Sequence, residues 1–339
     1  MKMKACYFVK VDNPDILYRN EFYAVDLQIL RDMGFDIEIA TSAWRIPKAD
    51  VYVVWWWTWA FLPLIRAGLY RRPMVVLGVF DHVMADGSLE SFSHRPRWHQ
   101  YLIRMVLRNA DANVVCSRDQ QDHLGKHFVV RGLEYCPLAV DTRLYQPASM
   151  PREKFLLMFC WMKTSNARRK CVAEAIKTMA SLHKMHPDYR LIVCGEKEDG
   201  FPELDQLVHS LKAEDYIEFP GVVSKETKIE LMQKCAIYLQ PTIVEGFGLA
   251  ILEAMSCGAP IISSPVGSVP EVVGDTGLLV DGQSPAAIGA AVNRLLADAA
   301  QREELGRCAR ERAVTVFPLE RRRRELTALI QKLLGQSRQ

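Results

Sequence analysis

No apolar run in this 339-residue chain reaches the roughly 20 residues that a membrane-spanning helix needs. The strongest candidate, "VYVVWWWTWAFLPLI", spans residues 51–65, is interrupted at Pro63 and meets Arg66. A secretory leader is not expected, because "MKMKACYFVKVD" is short and meets charge at once. An excess of one charge is also lacking. The net charge is +3, and the first 150 residues hold 18 Lys+Arg against 16 Asp+Glu, leaving 25 against 24. Neither half is basic enough to argue for nucleic acid. The nine cysteines are scattered with no Cys-x-x-Cys pair, and the eight histidines do not cluster. Free, reduced thiols are expected, with no zinc site, which predicts a cytoplasmic protein.

What is present is alternation. "ACYFVKV", "DIEIAT", "VYVVWW", "PMVVLGVF" and "ANVVCS" are short β-branched runs with helical stretches between most of them. "EFYAVDLQILRDMG" has helical spacing and a C-terminal cap at Gly34. Turn formers then gather in "VDTRLYQPASMPREK", and the alternation restarts with "FLLMFCW", "YRLIVCGE", "YIEFPG", "AIYLQP", "PIISSP" and "GLLV". Ser284-Pro285 caps and opens the helix "PAAIGAAVNRLLAD". These patterns predict an α/β protein of two Rossmann-like domains facing across a cleft. One spans residues 1–148, the second 149–317, and a final helix and tail occupy 318–339.

One stretch carries chemistry: "PTIVEGFGLAILEAMSCGAPIISS", from Pro241. Ligands of open parallel sheets bind beyond the carboxyl ends of the strands, against helix N-termini. Gly246 and Gly248 let backbone approach a ligand closely. A helix starting near Phe247 would aim its unpaired N–H groups and dipole at an anion such as a diphosphate. Glu245 and Glu253 stand eight residues apart, at most about 12 Å along a helix, roughly the reach from hexose to ribose in a nucleotide sugar. Glu245 would accept from sugar hydroxyls and Glu253 from the ribose, with cations neutralising the diphosphate between them. "GFGLAI" does not fit the dinucleotide fingerprint of oxidoreductases, because no third glycine follows and the turn lies late in the chain.

"VEGFGLAILEAMSCGAPIISSPVGSVPEVVGDTGLLVD" resembles the E-x7-E region of the retaining glycosyltransferases of family four, the glycosyl transferases group 1, which have the GT-B fold. "ADANVVCS", "YCPLAVDTRLYQP", "RKCVAEAIKTM" and "YIEFPGVVSKETKIELMQKCAIYLQPT" resemble further blocks of the family, together covering about residues 110–317. The resemblance implies a C-terminal helix returning toward the first domain. It implies a nucleotide-sugar donor, a hydroxyl acceptor in a glycan or lipid-linked glycan, retained anomeric configuration and no metal or other cofactor. It also implies that Glu245 and the backbone of Gly246, Phe247, Gly248 and Leu249 meet the donor sugar and phosphate, and that Glu253 holds the ribose. Arg169 and Lys170 stand near the basic phosphate position, Val223 near the nucleobase, and His82 close to the acceptor-domain histidine. Glu245, His82 and Lys170 are thus the candidate catalytic residues. Three departures stand out: Cys160-Trp161 replaces the usual Gly-Arg pair, Gly267-Ser268 replaces a double glycine, and "VDNPDILYRNE" replaces the first glycine-rich loop.

Plainer readings compete at several places. Glu253 could face solvent, Arg169-Lys170 could be a solvated helix start, and His82 could be a core or capping residue. Ser268-x-x-Glu271 reads as a capping box. "WWWTW" reads as a buried strand end with aromatic packing, and "RRRR" at 321–324 as a mostly solvated helix face. In "RPRWHQYLIRMVLR" the side holding Trp98, Tyr101, Leu102 and Met105 reads first as core, and second as contact with anionic lipid headgroups at the inner face of a membrane. An epimerase of the same architecture and a non-catalytic nucleotide-binding subunit are the rival functions.

Overall fold

The computed structural model describes residues 2–42, 45–80 and 91–336. They fall into two compact units, Met1–Ala139 with Leu319–Gln339, and Val140–Pro318.

The first unit opens with β1 (Lys4–Val9), α1 (Ile16–Arg19), α2 (Glu21–Asp32), β2 (Asp36–Ala40) and β3 (Val51–Trp55). It continues through α3 (Phe61–Tyr70), β4 (Met74–Gly78), α4 (Arg97–Asn109), β5 (Ala112–Val115), α5 (Arg118–His127) and β6 (Leu133–Tyr135). The strands form one parallel sheet in the order β2-β1-β3-β4-β5-β6. Every residue of β3 and β4 is buried, which is why their sequences are continuous apolar runs rather than alternating ones. Gly34 follows α2 at φ +85°, where the Phe35 amide donates to the Leu30 carbonyl, the predicted left-handed cap.

The second unit begins with β7 (Glu153–Phe159), α6 (Thr164–Arg169), α7 (Val172–Leu182), β8 (Arg190–Cys194), α8 (Phe201–Ser210) and β9 (Ile217–Gly221). Then come α9 (Lys225–Lys234), β10 (Cys235–Gln240), α10 (Leu249–Ser256), β11 (Ile261–Ser263) and α11 (Val269–Val273). β12 (Gly277–Leu279), α12 (Pro285–Ala297) and α13 (Ala299–Val316) complete it. Its parallel sheet runs β12-β11-β10-β7-β8-β9. Ser284 caps α12 as expected, its hydroxyl accepting from the Ala287 amide at 3.2 Å.

Ser268 does not form the expected capping box. It sits in the right-handed helical region at φ −81°, ψ −6°, so its hydroxyl cannot turn back onto α11, and it is buried without a hydrogen-bond partner.

The chain then returns to the first unit as α14 (Leu319–Gln336). Within "RRRR" the expected solvated face is interrupted. Arg322 is buried, and its Nε and Nη2 donate to the two carboxylate oxygens of Asp26 on α2 at 2.7 and 2.8 Å. Its Nη1 donates to the carbonyls of Cys136 and Pro137. Burial works against the Arg322 charge, but the paired Asp26 outweighs it and raises the guanidinium pKa.

Candidate active site

In the second unit the chain lays strands outward in opposite directions from β7 and β10, so the sheet reverses between these two neighbours. The crevice beyond their carboxyl ends is the topological switch point at which such sheets bind ligands. The loop after β7 leads through α6 to Arg169 and Lys170, and the loop after β10 carries Glu245. The structure thus brings these three predicted residues together.

The Glu245 loop is held firmly. Its Oε2 accepts from Gln240 Nε2 at 2.9 Å and lies 3.5 Å from Arg169 Nη1, while Oε1 accepts from the Gly246 amide at 3.2 Å. Tyr238, fully buried in β10, donates its hydroxyl to Gln240 Oε1 at 2.8 Å, so the carboxylate is oriented from inside the sheet. Arg169 also donates to the Val244 carbonyl, and its own carbonyl accepts from the Ile243 amide and the Thr242 hydroxyl. Gly267, at φ +52°, lies so close that an added Cβ would strike the Glu245 carbonyl oxygen. One glycine of the expected pair therefore has a steric reason to be present.

Lys170 donates to the Phe159 carbonyl at 2.9 Å. Burial lowers its pKa, Glu245 opposes that shift, and neighbouring Arg169 and Lys228 add to it. Cys171, next in sequence, takes the left-handed conformation at φ 48° that is uncommon for a residue with a Cβ.

The helix after the glycine turn starts later than expected. Gly248, at φ 87°, is its cap, so α10 begins at Leu249 rather than near Phe247. Phe247 is buried edge-on against Phe317, with ring centroids 5.9 Å apart. Glu253 does not face solvent either. Its side chain is 2 % exposed, and its Oε2 lies 2.6 Å from Lys228 Nζ on α9. Lys228 also lies over the Phe159 ring at 5.8 Å, beside the Lys170 anchor. Sequence reasoning missed Lys228, Gln240 and Tyr238. Val223 is half-buried in the loop between β9 and α9, five residues before Lys228. His82 lies outside the described residues.

The first unit holds a cavity of about 470 Å³ lined by Lys10, Trp56, Trp57, Thr58, Phe80 and Arg95 among others. It sits beyond the ends of β1, β3 and β4, and that sheet reverses between β1 and β3. The strand end in "WWWTW" is Trp55. Trp56 then turns to φ 72° and donates its indole N–H to the Tyr23 hydroxyl at 2.6 Å, while Trp57 is buried and donates to Asn113.

Residues 162–312 match the model of the family described as glycosyl transferases group 1. Over 275 residues the chain is 32% identical to the alpha-maltose-1-phosphate synthase of Mycolicibacterium smegmatis, a match covering 74% of this chain and 70% of that protein. The chain belongs to the glycosyl transferases group 1 family. It is also 42% identical over 115 residues to the O-antigen chain mannosyltransferase B of Escherichia coli, a match covering 34% of this chain but only 30% of that relative's length. A solved structure, Alr3699/HepE of Anabaena in complex with UDP and glucose, superposes with a TM-score of 0.77 at 17% identity. It covers 97% of this chain and all of that one. The two-domain α/β fold is GT-B. Arg168 on α6 lies 3.8 Å from Glu203 on α8.

Proposed function

We propose that this protein transfers a sugar from a nucleotide diphosphate sugar to a hydroxyl of a growing polysaccharide or lipid-linked glycan, with retained anomeric configuration. The observation that carries this reading is the set of Arg169, Lys170 and Lys228 gathered with two acids at the switch point of the second sheet. Glu253 and Lys228 address the ribose end, Val223 the base, and Glu245 the hydroxyls of the sugar. The backbone of Gly246–Leu249 and the first turn of α10 face the diphosphate.

The physical task is to stabilise the diphosphate as the C1–O bond breaks, and preorganised cations and amides do this without a metal. The acceptor attacks on the face the leaving group departs from, and a leaving phosphate oxygen takes the acceptor proton. Lys10 and Arg95 in the cavity of the first unit favour an acceptor bearing an anionic group, with His82 as the acceptor-side histidine. A lipid-linked acceptor would bring the protein to the inner face of a membrane. The relative solved with UDP and glucose supports a nucleoside diphosphate donor.

The test is to incubate the purified protein with radiolabelled nucleotide sugars and candidate acceptors, then separate the products. Label joined to acceptor with the donor's anomeric configuration supports the proposal. A released epimer, or no turnover with any donor, overturns it.

A further inference from the structure

Two neighbouring helices of the first unit present an outer apolar surface that is exposed among the described residues. α4 buries His99, Ile103, Val106 and Leu107, so the side predicted as core points the other way. Trp98 and Tyr101 are 58% and 67% exposed on that outer face. Leu102 and Met105, on the same side, are half-buried, while Ile103, Val106 and Leu107 of the inner face join the core of the unit. α3 packs beside α4 and buries Pro63 and Ala67, leaving Ile65 and Leu69 exposed at 62% and 68%. Phe61, Ile65 and Leu69 are spaced four apart, so they form one stripe along α3.

The two stripes join at one end. Phe61 contacts Trp59 at 5.9 Å between ring centroids, Trp59 contacts His99 at 5.6 Å, and His99 stacks on Trp98 at 5.0 Å. His99 Nε2 lies 2.6 Å from the Thr58 carbonyl oxygen, which holds α4 against the start of α3.

α3 and α4 themselves carry charge of one sign, arginine without any acid. Residues 51–80 and 91–110 contain no Asp or Glu. Arg97, Arg104 and Arg108 lie on the outer face of α4, and Arg71 caps α3. Arg71, Arg97 and Arg108 make no ion pair among the described residues. A second copy of the chain docked face to face would oppose arginine to arginine, which is unfavourable. Exposed Trp and Tyr beside aliphatics, flanked by arginines, match the headgroup boundary of an anionic bilayer.

We propose that the outer faces of α3 and α4 together form a docking surface for an anionic lipid bilayer. Ile65, Leu69, Trp98 and Tyr101 enter the headgroup boundary, and the arginines meet lipid phosphates. None of these side chains belongs to the donor site, so the proposal stands apart from the transfer reaction.

The test is flotation of the full chain with vesicles of phosphatidylcholine alone or with added phosphatidylglycerol. Binding should require the anionic lipid and weaken with salt. At about fivefold per arginine, the double variant R97S/R108S should bind about 25-fold more weakly. The variant W98S/Y101S should also lose binding, with thermal melting and the nucleotide-induced shift of both variants unchanged. The proposal is overturned if the parent ignores anionic vesicles, or if both variants bind as well as the parent. It is overturned equally if the parent instead forms a dimer through this face without binding vesicles. Loss of vesicle binding with an intact nucleotide shift would leave the donor site untouched.

Discussion

Lys228 Nζ, on α9, lies 2.6 Å from Oε2 of Glu253 on α10, and the carboxylate it meets is almost closed to solvent. The acid expected at the ribose is therefore half of an ion pair whose cation comes from another helix. A buried carboxylate left without its partner costs several kcal/mol, less when one partner is partly exposed. Lys228→Met should lower stability by about 2 kcal/mol and weaken nucleotide binding at least tenfold. Urea denaturation and calorimetric titration with nucleoside diphosphates measure the two effects. Unchanged nucleotide affinity would remove Lys228 from the site.

Gly267 should tolerate no side chain. Gly267→Ala places a Cβ on the Glu245 carbonyl at a left-handed φ, so the loop must move. The expected result is loss of the sugar-dependent part of donor binding at a cost in stability of about 1–3 kcal/mol. Comparing affinity for the nucleotide sugar with that for the nucleotide alone isolates the effect.

The Arg322–Asp26 pair should behave as a unit. Removing either partner alone leaves a buried charge and costs about 3–5 kcal/mol, whereas Arg322→Met with Asp26→Leu should cost clearly less than the sum. A double-mutant cycle by denaturation reads the coupling. Nucleotide binding should be unaffected in every folded variant, because the pair lies in the first unit.

Eight of the nine cysteines are buried, and burial pushes the thiols of Cys6, Cys171, Cys194, Cys235 and Cys257 up to about 12. A raised thiol pKa means less thiolate at any pH below it, so reaction with a disulfide reagent at pH 8 should be slow. Only Cys308 on α13 is partly exposed, and its neighbour Glu304 also raises its pKa. The native protein should release about one equivalent of thionitrobenzoate or less, and the unfolded protein nine.

The sheets and the site were legible to different depths. Parallel strands announce themselves as short β-branched runs because both faces of each sheet are covered, and the runs in β3 and β4 show this directly. Glu245 and Glu253 were readable because a turn and one helix place them within a single short segment. Lys228 was not, since it lies 25 residues earlier in α9, and only the fold brings it to Glu253. Gln240 reads as the last residue of an apolar strand until its amide is seen on Glu245. In "RRRR" four identical residues offer no periodic contrast, so nothing marks Arg322 as the one that turns inward to Asp26. For α4 the difficulty was apolar residues on both faces.

The central claim is that the two acids divide the donor between them. Thermal-shift titration of the parent, Glu253→Gln and Glu245→Gln against UDP, GDP, ADP and their common sugars tests it most directly. Glu253→Gln should abolish the shift given by the nucleotide alone, while Glu245→Gln should lose only the added gain from the sugar. If both variants respond like the parent to every nucleotide and nucleotide sugar, the donor does not bind here.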